Sequence, residues 1–282
     1  MNKIVQRLLI FFIGIPVLIG AVYIFPWKNH LVLHVMIIVV SFMSALEMHN
    51  MLKKRLTVHN AMLTAALSTL TPLMAASCAI FGLSTALISF TFVFSFLLIL
   101  VIDIFKPNSD NYASSLSRIG SSLMILIYPG FLITFISRMT IPEISSPLLT
   151  IFMLMVFGCD SLAWVCGITM GKGNRGLIAA SPNKSIAGFI GGIMGSMLAG
   201  VVGYILFPEI FGGSIFMVCL LGFLTACTAI LGDLAESVFK RCSGIKDSGS
   251  LIPGRGGLLD SIDSILMAAP VYYVCTVLMY GI

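Results

Sequence analysis

Charged residues are scarce in this sequence. Only 10% of its 282 residues are charged, whereas 59% are hydrophobic and the mean hydropathy is +1.08. An ordinary soluble domain contains about 25% charged residues and a smaller apolar share. The composition therefore excludes a soluble globular protein and predicts an all-α, polytopic integral membrane protein.

Cysteine and histidine sets with metal-ligand spacing are also missing. The seven cysteines are scattered, mostly in apolar runs, and no two of them form a CxxC pair. We interpret them as small buried side chains rather than as disulfides or metal ligands. All four histidines lie between His30 and His59, without an acidic or cysteine partner at ligand spacing. We therefore expect no histidine metal site.

Long apolar runs, in contrast, are abundant. A bilayer core about 30 Å thick needs roughly 20 apolar residues per helix. The sequence predicts about nine transmembrane helices, at residues 8 to 25, 31 to 48, 61 to 81, 85 to 105, 119 to 137, 148 to 170, 186 to 207, 213 to 232 and 262 to 281. We interpret the first run as a helix and not as a signal peptide, because Pro26 and Trp27 follow it instead of a small-residue cleavage site.

The distribution of lysine and arginine predicts the orientation. If the N-terminus is cytoplasmic, 14 of the 16 basic residues fall in cytoplasmic segments, and only Lys28 and Arg138 fall outside. Cytoplasmic loops carry such an excess of positive charge. We therefore expect a cytoplasmic N-terminus and an external C-terminus. The net charge of +5 then requires no nucleic-acid partner.

Acidic residues divide the chain into two regions. In the first five runs we interpret Glu47 and Asp103 as charges that reach the head groups from nearby helix ends. Beyond residue 158, carboxylates accumulate inside or beside the runs, where they are costly unless paired or functional. They are Asp160, Asp233, Glu236, Asp260 and Asp263.

We accordingly predict an N-terminal membrane region, residues 1–145, with about five spans. A catalytic membrane region, residues 146–282, follows with about four spans and with cytoplasmic loops at 171–185 and 233–260.

Three polar segments of the second region form a candidate site. They are CDSLAWVCGITMGKGNRG at 159–176, SPNKSIAGFIGG at 181–192, and the stretch from GDLAESVFKR at 232–241 onward. They offer carboxylates for a hard cation, lysine and arginine for phosphate oxygens, and glycines that admit an anion to the backbone. This combination predicts a site for a metal-bound nucleotide phosphate.

Helical spacing sharpens this hypothesis. Asp260 and Asp263 share a helix face, and Asp233, Glu236 and Lys240 share another. Such pairs are suited to Mg²⁺, which usually takes one or two carboxylates and completes its shell with water and phosphate. Two simpler interpretations stay open. Glu236 with Lys240 is typical of a solvated salt bridge, and the glycines at 188, 192, 195 and 200 are typical of helix packing.

The segment SVFKRCSGIKDSGSLIPGRGGLLDSID, residues 237–263, resembles the signature of the phosphatidate cytidylyltransferases. The matching positions are Ser237, Lys240, Arg241, Lys246, Asp247, Gly249, Ile252, Pro253, Gly256, Gly257, Asp260 and Asp263. The resemblance to this family covers roughly residues 155 to 270. Three positions depart from its pattern: Arg255 replaces a histidine, Ser261 an arginine and Ala187 a glutamate.

The resemblance implies transfer of CMP from CTP to phosphatidic acid, giving CDP-diacylglycerol and pyrophosphate. It implies Mg²⁺ as cofactor, with a second cation left open. By resemblance, the metal ligands are Asp233, Asp260 and Asp263. The catalytic candidates are Lys240, Arg241, Lys246 and Arg255, which are offered to the phosphates, together with Asp247 as a supporting carboxylate. The remaining candidates, for nucleotide or head-group binding, are Lys184, Ser185, Ser237, Gly256 and Gly257.

The implied partners are CTP, phosphatidic acid and membrane lipid, with a homodimer left open. The implied location is the bacterial inner membrane, with the active site facing the cytoplasm. Two alternatives within enzymes are a CTP-dependent lipid kinase and a cytidylyltransferase for another lipid phosphate. The alternative from a different class is a multipass transporter, for which intramembrane carboxylates are ordinary.

Overall fold

A computed structural model describes residues 20, 22–105, 112–249, 251–252 and 256–282. Within these residues the regular elements are helices, and two isolated β-bridges join Arg175 to Ser185 and Ile252 to Gly256. The helices are α1 (Trp27–Leu52), α2 (Ala61–Phe81), α3 (Ala86–Ile104), α4 (Ser115–Ile125), α5 (Thr134–Arg138), α6 (Ser145–Thr169), α7 (Ile186–Leu206), α8 (Pro208–Phe211), α9 (Ile215–Cys242) and α10 (Leu259–Tyr280). A π-helical turn, Leu126–Phe131, separates α4 from α5.

Eight segments of the described chain are long and apolar enough to cross a membrane. One of them, Ser115–Arg138, combines α4, the π-helical turn and α5. These segments correspond to the last eight predicted runs, so the all-α polytopic fold is confirmed. The first predicted run, 8 to 25, lies largely outside the described residues.

The predicted loop at 233–260 is wrong in its bounds. α9 continues to Cys242 and α10 begins at Leu259, so the connecting loop is 243–258. The polar end of α9 remains helical because its polar residues recur at steps of three and four. In addition, Lys240 and Arg241 in the last turn favour the negative end of the helix dipole.

The chain forms two compact units. From Ile24 onward, one unit contains Ile24–Ile141 and Phe239–Ser261, and the other contains Pro142–Val238 and Ile262–Ile282. The loop after α9 thus belongs with the N-terminal helices. The predicted chemical division at residue 145 stays a prediction.

Small polar side chains join the helices of the first unit. Ser41 Oγ on α1 donates to Pro129 O at 2.8 Å, and Ser68 Oγ on α2 donates to Ile125 O at 3.0 Å. Gly130 in the π-helical turn lies so close to α2 that a Cβ there would be 2.6 Å from Ser68 Oγ. Such close, hydrogen-bonded crossings are how membrane helices associate without a hydrophobic driving force.

Asp103 does not reach the head groups as we expected. Asp103 is only 4% exposed, and its Oδ1 accepts a hydrogen bond from Arg118 Nε at 2.8 Å. His59 Nε2 lies 3.4 Å from the same oxygen, and Ser115 Oγ accepts from Arg118 Nη2 at 2.9 Å. The charge is therefore compensated inside the first unit by a buried partner.

Glycines set the packing in the second unit. A Cβ on Gly191 of α7 would lie 2.5 Å from Cys166 Sγ of α6, and one on Gly192 would lie 3.0 Å from Cys159 Sγ. Gly195 faces the backbone of Gly158 directly. The interpretation of the α7 glycines as helix-packing positions is confirmed.

Candidate active site

The polar half of α9 presents one face of functional side chains. Glu236 is fully buried and Ser237 is 7% exposed. The helix ends in a left-handed glycine, Gly244 (φ 69°), and Ile245 N donates to Lys240 O at 2.9 Å. This arrangement satisfies the last carbonyls of the helix. The chain then leaves α9 in a defined direction just after Lys240.

In the first unit, hydrogen-bond donors surround the Asp260 carboxylate. Its Oδ1 lies 2.5 Å from Lys240 Nζ. Its Oδ2 accepts from Ser248 N and Ser248 Oγ, both at 2.9 Å, and from Gly257 N at 2.8 Å. Each carboxylate oxygen has about two lone-pair sites, so three donors saturate Oδ2, whereas Oδ1 accepts from Lys240. Asp260 is thereby fixed to the loop and to α9.

Glu47 holds the same loop from another helix of the first unit. Its Oε1 accepts from Leu258 N and its Oε2 from Leu259 N, each at 2.9 Å. Ser248 Oγ lies 3.3 Å from Oε2. The expectation that Glu47 reaches the head groups is therefore wrong, because both of its oxygens bind the start of α10.

Glycines leave the space for these two carboxylates. A Cβ on Gly249 would lie 2.7 Å from Glu47 Oε1, and one on Gly257 would lie 2.5 Å from Glu47 Oε2. A Cβ on Gly256, which has a φ of 110°, would lie 2.6 Å from Asp260 Oδ2. The predicted binding residues Gly256 and Gly257 therefore line the Asp260 and Glu47 carboxylates.

In the second unit, Lys184 forms an ion pair with Asp233. Lys184 Nζ lies 2.5 Å from Asp233 Oδ2, and the two side chains are 22% and 39% exposed. Lys184 precedes α7, whose N-cap is Ser185: its Oγ accepts from Gly188 N at 3.0 Å. Ser185 is 3% exposed, so its hydroxyl serves the helix end in this structure.

Carboxylates gather around Asp263. This residue is 7% exposed, and Asp233, Glu236 and Asp160 all lie near enough to repel its charge. Its Oδ1 accepts from Ser264 N at 2.6 Å, and Ser264 Oγ donates to Asp160 Oδ1 at 3.3 Å. The second unit therefore concentrates negative charge around a buried carboxylate.

The remaining candidates lie on the surface or outside the described residues. Arg241, Lys246 and Asp247 are exposed. Arg255 lies outside the described residues, so its predicted role stays a prediction. Ser261 Oγ donates to Gly257 O at 3.4 Å.

Nearly the whole chain matches the model of one protein family. The model of the cytidylyltransferase family matches residues 5–279. The chain belongs to the cytidylyltransferase family. The resemblance of residues 237–263 is thus confirmed, and the family match extends through the N-terminal helices.

Relatives of this cytidylyltransferase family member are named phosphatidate cytidylyltransferase. The one from Synechocystis sp. is 42% identical over 132 residues, which cover 45% of this chain and 43% of that protein. The one from Mycobacterium bovis is 32% identical over 174 residues, covering 61% and 54%. The one from Helicobacter pylori J99 is 35% identical over 151 residues, covering 53% and 54%. The chain therefore spans about half the length of the curated relatives it matches.

The carboxylates of the second unit are the described residues that best fit a cation. Within the part of the chain that the structure describes, no three His, Cys, Asp or Glu side chains are arranged to enclose a metal ion. The Asp263 cluster nevertheless has the right chemistry, because it brings four carboxylates close together in the second unit. Carboxylate oxygens are the donors that Mg²⁺ prefers. Asp260 fits less directly, since its Oδ2 already accepts from three donors and its Oδ1 is paired with Lys240.

Two residues that contribute to this site were not predicted as site residues from the sequence. Glu47 stands alone in an apolar run, and its backbone partners are more than 200 residues away in the chain. Ser248 occupies a variable position of the signature, yet it donates twice to Asp260. A carboxylate in an apolar run is energetically costly unless it is paired or functional. This cost was the signal in the sequence that could have identified Glu47.

Proposed function

We propose that this chain is a phosphatidate cytidylyltransferase, which transfers CMP from CTP to phosphatidic acid. The observation that carries the proposal is the contact between two signature residues and Asp260: Lys240 Nζ lies 2.5 Å from its Oδ1, and Gly257 N donates to its Oδ2 at 2.8 Å. Family membership and the names of the relatives support the same reaction. An oxygen of the lipid phosphate attacks the α-phosphorus of CTP, and the bond to the β-phosphate oxygen breaks to release pyrophosphate.

The chain's own residues would neutralise and orient these anions. Lys240 and Lys184 each pair with an aspartate, and an ammonium held in this way is placed for exchange onto a phosphate oxygen. Exposed Arg241 and Lys246 add positive charge at the start of the loop. In phosphoryl transfer, positioning and charge stabilisation provide most of the catalysis.

Mg²⁺ is the cofactor in this proposal. Asp233 and Asp263 of the second unit would hold it, and the resemblance to the family adds Asp260 as a third candidate ligand. When bound there, Mg²⁺ would supply positive charge against the negative charge that develops on the phosphate oxygens. The support is the excess of carboxylates around Asp263 in the second unit.

The proposed location is the bacterial inner membrane with the active site on the cytoplasmic side. The excess of lysine and arginine in the loops assigned to that side supports it. The relatives are bacterial proteins. CTP would then enter from the cytoplasm while the acyl chains of the lipid stay in the bilayer.

The decisive experiment follows each phosphate of CTP. Protein purified in detergent is mixed with phosphatidic acid, Mg²⁺ and CTP labelled in either the α or the γ phosphate. We expect the α label in the lipid fraction and the γ label in pyrophosphate. Transfer of the γ label to lipid would identify a CTP-dependent kinase instead. No transfer of either label to phosphatidic acid would overturn the proposal and leave a cytidylyltransferase for another lipid phosphate or a transporter.

A further inference from the structure

Glu47 lies in the N-terminal region, yet among the described residues its carboxylate accepts hydrogen bonds from the signature loop and from the helix that follows it. Its two oxygens accept the backbone N–H groups of Leu258 and Leu259, each at 2.9 Å. The first N–H groups of a helix have no partner within the helix. Glu47 thus supplies two of them for α10 from a separate helix, α1.

Charge strengthens this contact. A carboxylate at a helix N-terminus interacts favourably with the helix dipole, and hydrogen bonds to an ionised acceptor are stronger than neutral ones. The side chain is also enclosed. Gly249 and Gly257 approach it so closely that a Cβ on either would lie 2.7 or 2.5 Å from its oxygens. The position of Glu47 is therefore transmitted to the loop with little freedom.

Ser248 and Gly257 connect this contact to Asp260. Ser248 Oγ lies 3.3 Å from Glu47 Oε2 and 2.9 Å from Asp260 Oδ2. Gly257 N donates to Asp260 Oδ2 at 2.8 Å, next to the residues that Glu47 caps. The two carboxylates thus share one short segment of backbone.

We propose that Glu47 is a positioning residue for the reaction: it fixes the first turn of α10 and the Ser248 segment, and through them it orients Asp260 and its partner Lys240. The inference rests on the proposed function for its catalytic consequence. Its structural part, the restraint of the α10 N-terminus, stands on the hydrogen bonds alone.

The test uses three variants of the full-length protein. Glu47→Gln keeps the size but offers one acceptor and a clashing N–H donor, and Glu47→Asp keeps the charge on a shorter side chain. Glu143→Gln is the matched control, because Glu143 is an exposed glutamate. The measurements are hydrogen–deuterium exchange of the Leu258 and Leu259 amides, apparent Tm, and kcat and KM for CTP.

In Glu47→Gln we expect exchange at these two amides to rise and kcat to fall, each by about tenfold or more, as for loss of a hydrogen bond to a charged group. KM for CTP should stay near the wild-type value, because Glu47 is assigned no substrate contact. Glu47→Asp should give intermediate exchange and an intermediate kcat, and Glu143→Gln should match the wild type.

Unchanged exchange in Glu47→Gln would overturn the inference, as would raised exchange with a wild-type kcat. A lower Tm with normal kcat per folded molecule would show a merely structural residue. If Glu47→Gln is not recovered folded, Glu47→Asp must still show raised exchange and reduced kcat. If the wild-type protein does not turn over CTP, the proposed function fails, whereas the exchange comparison still decides whether Glu47 restrains α10.

Discussion

Asp260 and Asp263 are three residues apart on α10, but they belong to different units and have opposite surroundings. The Asp260 carboxylate accepts four hydrogen bonds from Lys240, Ser248 and Gly257. Asp263 instead has Asp233, Glu236 and Asp160 as charged neighbours. The difference indicates that one aspartate organises the polypeptide while the other raises the local demand for a cation. Two residues of the same type can thus serve one reaction in separate ways.

The largest expected effect is that of Asp260→Asn, because it removes both an anchor and a charge. Breaking a buried ion pair costs roughly 3–5 kcal/mol when one charge is left behind, and the Lys240 and Asp260 side chains are 14% and 6% exposed. We expect loss of CTP turnover together with a clearly lower apparent Tm. The control is Glu143→Gln, at an exposed position that has no assigned role in the site. An active variant with normal Tm would contradict the anchoring role.

Asp263→Asn should separate activity from stability. Removing one carboxylate from a like-charged cluster relieves repulsion, so the apparent Tm should stay or rise. We expect kcat/KM for CTP to fall on the order of 100-fold, as when one preorganised charged group is removed from an active site. Titrating Mg²⁺ in the wild type and the variant measures the effect. Equal half-saturating Mg²⁺ concentrations would argue against Asp263 as a ligand.

The smallest expected effects are those of breaking the two lysine–aspartate pairs, which compare the two units directly. Lys184→Met should lower stability by no more than about 1 kcal/mol, because exposed ion pairs contribute little; Lys184 and Asp233 are 22% and 39% exposed. Lys240→Met should lower the apparent Tm more, since its pair is more buried. Thermal melts of both variants in one detergent test this order. The reverse order would place the greater structural role in the second unit.

Much of the fold was predictable because lipid imposes a simple length and polarity rule. Eight predicted runs correspond to the helical segments of the described chain. The boundaries of the loop between α9 and α10 were predicted wrongly, because that rule does not apply to the polar end of a helix. Residues 233 to 242 are too polar to be recognised as part of a span, although their spacing by three and four supports a helix.

The site was predictable as a set of residues but not as a set of contacts. The signature identified Lys240 and Asp260, and the structure pairs them. The signature contained no information about Glu47. The Glu47 carboxylate binds backbone N–H groups, and these are present whatever the side chains of the loop are. Nor could spacing show that Asp260 is surrounded by donors and Asp263 by carboxylates, since this depends on packing between distant segments.

The length of α9 sets the depth at which chemistry takes place. Its 28 residues, at about 1.5 Å per residue, extend about 42 Å, whereas the hydrocarbon core is about 30 Å thick. With Ile215, where its apolar part begins, set at one edge of that core, the turns from Asp233 to Cys242 would extend into the head-group layer. A lipid phosphate resides in that same layer. A substrate lipid would thus meet Lys240 by lateral diffusion in the leaflet, without lifting its acyl chains into water.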